Sequence, residues 1–239
     1  MPVSKPTTAR TEIKGLVETS FLDWPGQVSA VVFLGGCNFR CPFCHNHELV
    51  LRPHRLPGRP SDEIIEQLKP FAGWLDGVVV SGGEPTLDPG LVEMCWAVKK
   101  AGFKVKLDTN GTRPDVLKDL IGDGLVASFS MDLKAPLNEP LLHRRLAGVK
   151  ADLAALRQSM DLLIGSGLEV IFRTTYVPGI LREEHLASMA EEIRGAKRWS
   201  LNTFRPLTCL DEDFTKIIPL DEEEMTRLQK LADDLLAEA

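Results

Sequence analysis

Short β-branched runs alternate with segments of helical spacing along most of the 239 residues, which predicts an α/β fold on a largely parallel sheet. Two further observations agree. Glycines and polar residues cluster just after the apolar runs, where α/β folds place their functional groups. An apolar share of 44% and a charged share of 26% are ordinary for a chain that buries one sizeable core without disulfide staples.

The elements follow in order. Residues 1–26 read as an N-terminal extension, 27–205 as the core, and 206–239 as a C-terminal loop and helix, all in one domain. Residues 27–34 form the first strand. Residues 52–60 hold three prolines and a glycine and read as a surface loop. Residues 61–68 open on Ser-Asp-Glu and set Ile64, Ile65 and Leu68 on one helical face. The run 77–81 (GVVVS) is a short β-branched strand ending in glycines. The next helix, 88–100, has Asp88 as its N-cap and Pro89 at its first position. Extended segments are expected over 103–107, 125–131, 168–175 and 199–204. Helices are expected over 113–121, 150–164, 183–194 and 221–236. About six strands, each followed by a helix, leave two architectures: a doubly wound open sheet or an open partial (β/α) barrel.

Charge and composition narrow the function. Lys and Arg number 28 and Asp and Glu 34, so the net charge is −6 and no basic excess is available to neutralise phosphates. Aromatic residues make up 6%, too few for base-stacking platforms. No nucleic-acid partner is expected. No apolar run approaches the roughly 20 residues of a membrane span, and the first 15 residues carry no apolar leader. A cytoplasmic protein with reduced thiols is the expectation.

Three of the five cysteines, Cys37, Cys41 and Cys44, are spaced C-x3-C-x2-C. Four readings fit that spacing. Cys41–His45 reads C-P-F-C-H, as in haem attachment, but an exported chain would be needed. Cys41–Cys44 is a C-x2-C pair, as in thioredoxins, but Cys37 is then surplus. Structural zinc with His45 or His47 as fourth ligand is the plain alternative. A [4Fe–4S] cluster with three protein ligands would leave one iron open for a substrate or cofactor.

The motif C-x3-C-x2-C, with Phe43 before its last cysteine and just after the first strand, resembles the radical S-adenosylmethionine (SAM) superfamily. Ser81-Gly82-Gly83-Glu84-Pro85, after the second strand, resembles that superfamily's GGE motif. The resemblance implies a partial (β/α)6 TIM-like barrel, open on one side, and a single radical SAM domain. It implies that Cys37, Cys41 and Cys44 ligate a [4Fe–4S] cluster whose open iron chelates SAM. One electron then cleaves SAM to methionine and a 5′-deoxyadenosyl radical. Gly82, Gly83 and Glu84 would contact the SAM amino group, and Phe43 would lie beside the adenine.

The flanking sequence narrows the group. Asp23-Trp24-Pro25-Gly26, Cys44-His45-Asn46, Asp108-Thr109-Asn110-Gly111, Met131-Asp132-Leu133-Lys134 and Tyr176-Val177-Pro178-Gly179 resemble glycyl-radical-enzyme activating enzymes. TSFLDWPG (19–26) and NTFRP (202–206) resemble the branch that activates anaerobic ribonucleoside-triphosphate reductase. Such enzymes remove hydrogen from a backbone glycine of a large partner and take electrons from a flavodoxin- or ferredoxin-type donor. By the same resemblance Asp108, Thr109 and Asp132 map onto residues that hold a monovalent cation beside SAM. Lys134 would offset the SAM carboxylate, and Arg173 would contact SAM or the partner peptide. The pyruvate formate-lyase activators carry a SAM-contacting histidine after the sixth strand; residues 204–207 (FRPL) offer none. Activation of pyruvate formate-lyase, turnover of a small molecule as in 7-carboxy-7-deazaguanine synthases, and a structural metal protein are the alternatives.

Bland readings apply elsewhere. Cys95 sits on an apolar helix face and reads as a core thiol. Cys209 reads as structural or incidental, His45 and His47 as loop residues, and Trp24 as packed. The last helix reads as a core-packing or edge-covering element.

Overall fold

The structure, a computed structural model, describes residues 11–239. Its fold is α/β with an open, mostly parallel sheet of eight strands. These are β1 (Glu12–Ser20), β2 (Ser29–Leu34), β3 (Arg59–Pro60), β4 (Gly77–Gly82), β5 (Lys104–Thr109), β6 (Ser128–Asp132), β7 (Glu169–Tyr176) and β8 (Trp199–Thr203). The α-helices are α1 (His47–Leu51), α2 (Ser61–Leu68), α3 (Leu91–Lys100), α4 (Pro114–Gly122), α5 (Pro140–Ala147), α6 (Leu153–Gly165), α7 (Glu183–Glu192) and α8 (Glu222–Glu238). The packing divides into two compact units.

The first unit takes in the described residues up to Cys37, together with Glu48–Thr109 and Asp115–Ser128. Its strand order is β3-β1-β2-β4-β5. Strands β2, β4 and β5 run parallel, so their C-terminal ends share one edge. Val78, Val79 and Val80 are all buried, the continuous apolar run of a strand covered on both faces. Trp24 packs with Val31 and Val79, and a Cβ on Gly77 would come within 2.6 Å of its ring. Trp24 is therefore a core residue, as its sequence setting suggested.

The second unit holds Asn38–His47, Asn110–Pro114 and Phe129–Ala239. Strands β7 and β8 are parallel, from Phe172 opposite Trp199 to Tyr176 opposite Thr203. Trp199 is buried, and its indole nitrogen donates to the Thr174 hydroxyl at 3.0 Å. Helix α8 buries Met225, Leu228 and Ala232. Its Gln229 accepts from the Leu201 amide at 2.7 Å and donates to the Trp199 carbonyl at 2.8 Å. One side chain thus satisfies backbone groups of the edge strand β8, which covers that edge as expected.

Four differences from the sequence reading have physical causes. Strand β1 lies in the expected N-terminal extension, antiparallel to β2. Two register shifts break its pairing, and only Ile13 and Ser20 are buried, so no period of two survives in its sequence. The rest of that extension, residues 1–10, lies outside the described residues. The expected loop 52–60 ends in the two-residue strand β3. Helix α5 had no predicted counterpart: Pro140 sits in its first turn, Gly148 ends it in the left-handed conformation, and Leu141 is exposed. Asp88 does not cap α3. Its carboxylate accepts from the Gly90 amide and the Thr11 hydroxyl, each at 2.8 Å, and the helix starts at Leu91.

The cysteine-bearing segment of the second unit is clamped to the end of α5. The Arg40 amide donates to the Ala147 carbonyl at 2.8 Å. Gly148 has φ +71°, and a Cβ there would stand 1.8 Å from the Arg40 carbonyl oxygen. Gly167 has nearly the same φ, +73°, with open space around it. Gly167→Ala should cost about 1–2 kcal/mol through backbone conformation alone. Gly148→Ala should cost clearly more, because the Arg40 backbone must also move. Urea midpoints of the two variants measure the difference.

Candidate active site

In the first unit, three strand ends bring together most of the glycine-rich and acidic residues that the sequence singled out. The turn after β4 lies against the chain leaving β2. The Gly83 amide donates to the Leu34 carbonyl at 2.9 Å, and the Glu84 amide donates to the Gly36 carbonyl at 2.8 Å. A Cβ on Gly83 would stand 1.8 Å from that Gly36 oxygen and 3.3 Å from the Cys37 Cβ. Only glycine allows this approach. The Gly82-Gly83-Glu84 turn therefore holds the base of the cysteine loop.

Glu84 is 1% exposed, and a bare carboxylate there would be costly. It is well supplied with donors. Its Oε1 accepts from the Thr86 amide at 3.1 Å, from the Thr86 hydroxyl, and from Thr109 Oγ1 at 2.8 Å. Asp108 points from the same strand end. Its Oδ1 accepts from Lys106 Nζ and its Oδ2 from the Ser81 hydroxyl at 3.2 Å. Lys106 is 1% exposed.

In the second unit, Phe39 to Cys44 forms the remainder of the loop. Asn38 donates to the Thr112 hydroxyl and accepts from Asn110, each at 2.8 Å. The Asp211 amide donates to the Pro42 carbonyl at 3.0 Å. Cys41 and Phe43 are buried, and Cys44 is half-buried. Phe43 packs against Phe214 at 6.4 Å between centroids, and Lys134 Nζ lies 5.6 Å from the Phe43 centroid. Asp132 lies between two cations. Its Oδ2 accepts from Lys134 at 3.0 Å, and its Oδ1 accepts from Arg173 Nε and pairs with its Nη2, both at 3.0 Å.

These charges set the local acid–base properties. Burial alone would raise the Asp132 pKa, but Lys134 and Arg173 outweigh it and hold the carboxyl at about 2. Burial works against the Lys134 charge; Asp132 and Cys41 nevertheless leave its pKa above the usual lysine range. Burial pushes the Cys41 and Cys44 thiols up, and Lys134 opposes that shift at both.

None of the five cysteines forms a disulfide. Among the described residues, no three His, Cys, Asp or Glu side chains gather around one point as a single metal ion requires. In a cubane cluster each thiolate takes its own iron, so the cysteines need not converge. Three thiols on one irregular loop fit a [4Fe–4S] cluster by donor chemistry. His45 Nε2 bonds to the Arg205 carbonyl at 2.8 Å, which occupies that nitrogen. Cys95 is fully buried, and burial pushes its thiol to about 12, as befits a core residue.

The sequence reading missed Lys106, Thr86 and Phe214. Lys106 had a signal, since it lies two residues before Asp108 and so on the same strand face. Lysine in an alternating strand otherwise reads as solvent-facing. Thr86 follows Glu84 at the spacing of a helix cap. Phe214 carried none.

The match to known proteins is extensive. The Radical SAM superfamily pattern matches residues 31–191. A Methanocaldococcus jannaschii protein provisionally named a glycyl-radical enzyme activating enzyme is 32% identical over 225 residues, 92% of this chain and 91% of its own. The pyruvate formate-lyase-activating enzyme of Streptococcus mutans is 31% identical over 205 residues, 78% of this chain and 74% of its own. The SAM-bound crystal structure of Streptococcus suis SuiB has a similar fold, with TM-score 0.67 and 18% identity. It matches over 85% of this chain but 46% of SuiB, so the chain spans under half of that protein. The chain belongs to the radical SAM superfamily, in the group that contains the glycyl-radical-enzyme activating enzymes. Enzymes of this superfamily use a [4Fe–4S] cluster and SAM.

Two outcomes follow from the charges. Lys106→Met removes the ammonium paired with the buried Asp108 and should cost about 3–5 kcal/mol in chemical denaturation. Asp132 has a folded pKa of about 2, below its ordinary 3.8. The stability it contributes is therefore complete above the ordinary value and is lost as pH falls through the folded one. Asp132→Asn should cost about 2 kcal/mol at pH 7. The gap between variant and wild type should close as pH falls through 4 towards 2. A gap that persists at low pH would show that the carboxylate charge is not its source.

Proposed function

We propose that this chain is a glycyl-radical-enzyme activase. It reductively cleaves SAM and removes hydrogen from a backbone glycine of a partner enzyme, which is anaerobic ribonucleoside-triphosphate reductase. The carrying observation is the cysteine loop: Cys37, Cys41 and Cys44 lie on one short loop at a strand end, outside any disulfide. The relative matched along 92% of the chain supports the activase class. The 19–26 and 202–206 segments, and the lack of a histidine within residues 204–207, favour the reductase over pyruvate formate-lyase as partner.

The residues divide the work. Cys37, Cys41 and Cys44 would hold the cluster, which would supply the electron for cleavage of the sulfonium. Gly82, Gly83 and Glu84 bind the SAM amino group. Thr86 and Thr109 fix the Glu84 carboxylate through their bonds to Oε1. Lys134 meets the methionine carboxylate, with Asp132 and Arg173 fixing its ammonium. Phe43, rigid against Phe214, offers an apolar face to the adenine. Asp108 completes the cofactor set. We read the two units as one radical SAM domain, a reading supported by the family match over residues 31–191. The electron comes from a flavodoxin- or ferredoxin-type donor, and the protein works in the cytoplasm. No helix among the described residues is long and apolar enough to cross a membrane.

The test uses anaerobically reconstituted protein with SAM and a strong reductant. Wild type should form 5′-deoxyadenosine, and Cys41→Ala should form none above background. Added reductase should then show a glycine-centred doublet by electron paramagnetic resonance. Turnover of a small molecule with no partner present would instead place the chain beside the deazaguanine synthases. Zinc in place of iron would overturn the reading.

A further inference from the structure

Among the described residues, Lys106 pairs with Asp108, and Lys134 and Arg173 pair with Asp132. The resemblance assigned Asp108 and Asp132 to a monovalent cation. A hard cation needs oxygen ligands that are open to it. Here both carboxylates already carry protein cations. In the first unit Asp108 Oδ1 is ion-paired with Lys106, and Oδ2 accepts from Ser81 at 3.2 Å. In the second unit Asp132 holds Lys134 on one oxygen and Arg173 on the other, each at 3.0 Å. The residues present do not fit a bound metal cation.

Lys106 is the unusual member. It is 1% exposed and lies inside a parallel strand, between the buried Val105 and Leu107. An ammonium in such a place persists only when paired. Alternation along β5 sets it on the face of Asp108, and the pair is the compact, dry counterpart of a carboxylate–metal contact.

We infer that the Lys106 ammonium takes the place of the monovalent cation at Asp108, so that this enzyme binds SAM without sodium or potassium. The inference rests on the proposed function for the role of SAM. Lys106 acts through Asp108. With the lysine removed, Asp108 loses that ammonium, and the added negative charge opposes the SAM carboxylate.

The experiment measures SAM affinity of the reconstituted enzyme by equilibrium dialysis in choline, sodium and potassium chlorides at one ionic strength. Wild-type affinity should agree among the three salts to within about twofold, well under the tenfold step of one 1.4 kcal/mol interaction. Lys106→Met should bind SAM about tenfold more weakly in choline and recover in sodium or potassium. Lys106→Arg, which keeps the charge, should stay indifferent to the salt. Wild-type binding that tightens about tenfold on replacing choline by either metal would overturn the inference. So would Lys106→Met that binds SAM in choline as well as wild type. Thermal midpoints are read in the same salts: only Lys106→Met should gain from the metals. If SAM bound in none of the salts, the proposed function would fall. The midpoints would still decide the lysine's role, with a metal-dependent wild-type midpoint counting against it. If Lys106→Met did not fold, wild type and Lys106→Arg would decide.

Discussion

The second unit is arranged around one fixed charge, the ammonium of Lys134. It bonds Asp132, lies near the Phe43 ring, and acts on both the Cys41 and Cys44 thiols. A long flexible side chain would ordinarily wander. Here Asp132 holds it, and Arg173 in turn holds Asp132. The positions of a cysteine pair, an aromatic face and a cation are thus linked through one carboxylate on β6. The loop cannot drift as a whole either, because the Arg40 amide and the Pro42 carbonyl are tied to α5 and to the Asp211 segment.

Legibility in the sequence followed the strength of local constraint. The buried strands β4 and β5 and the capped helix α8 were readable, because apolar runs and caps act over a few residues. The Asp221 cap is present, with its carboxylate accepting from the Glu224 amide at 2.8 Å. Strand β1 was not readable, since its pairing is broken by register shifts and most of its side chains are partly or fully exposed. At the site, residues inside motifs could be named, but their partners could not. Thr86 and Ser81 stand beside recognised residues, and their bonds are made by the fold. Lys106 looked like solvent-facing lysine because alternation gives a face and not the burial of that face. The structural part of Gly83 was not readable: its missing side chain makes room for the Gly36 carbonyl.

The raised thiols of the cysteine loop have a consequence for assembly. Burial lifts Cys41 and Cys44 above the ordinary thiol range. Under the proposed function these sulfurs bind iron as thiolates, so each bond would expel a proton into the surroundings. Loading would then be an exchange of protons for iron, driven forward by alkali and held back by acid. The same linkage would favour loss of iron in acid, because each sulfur that the metal leaves takes up a proton.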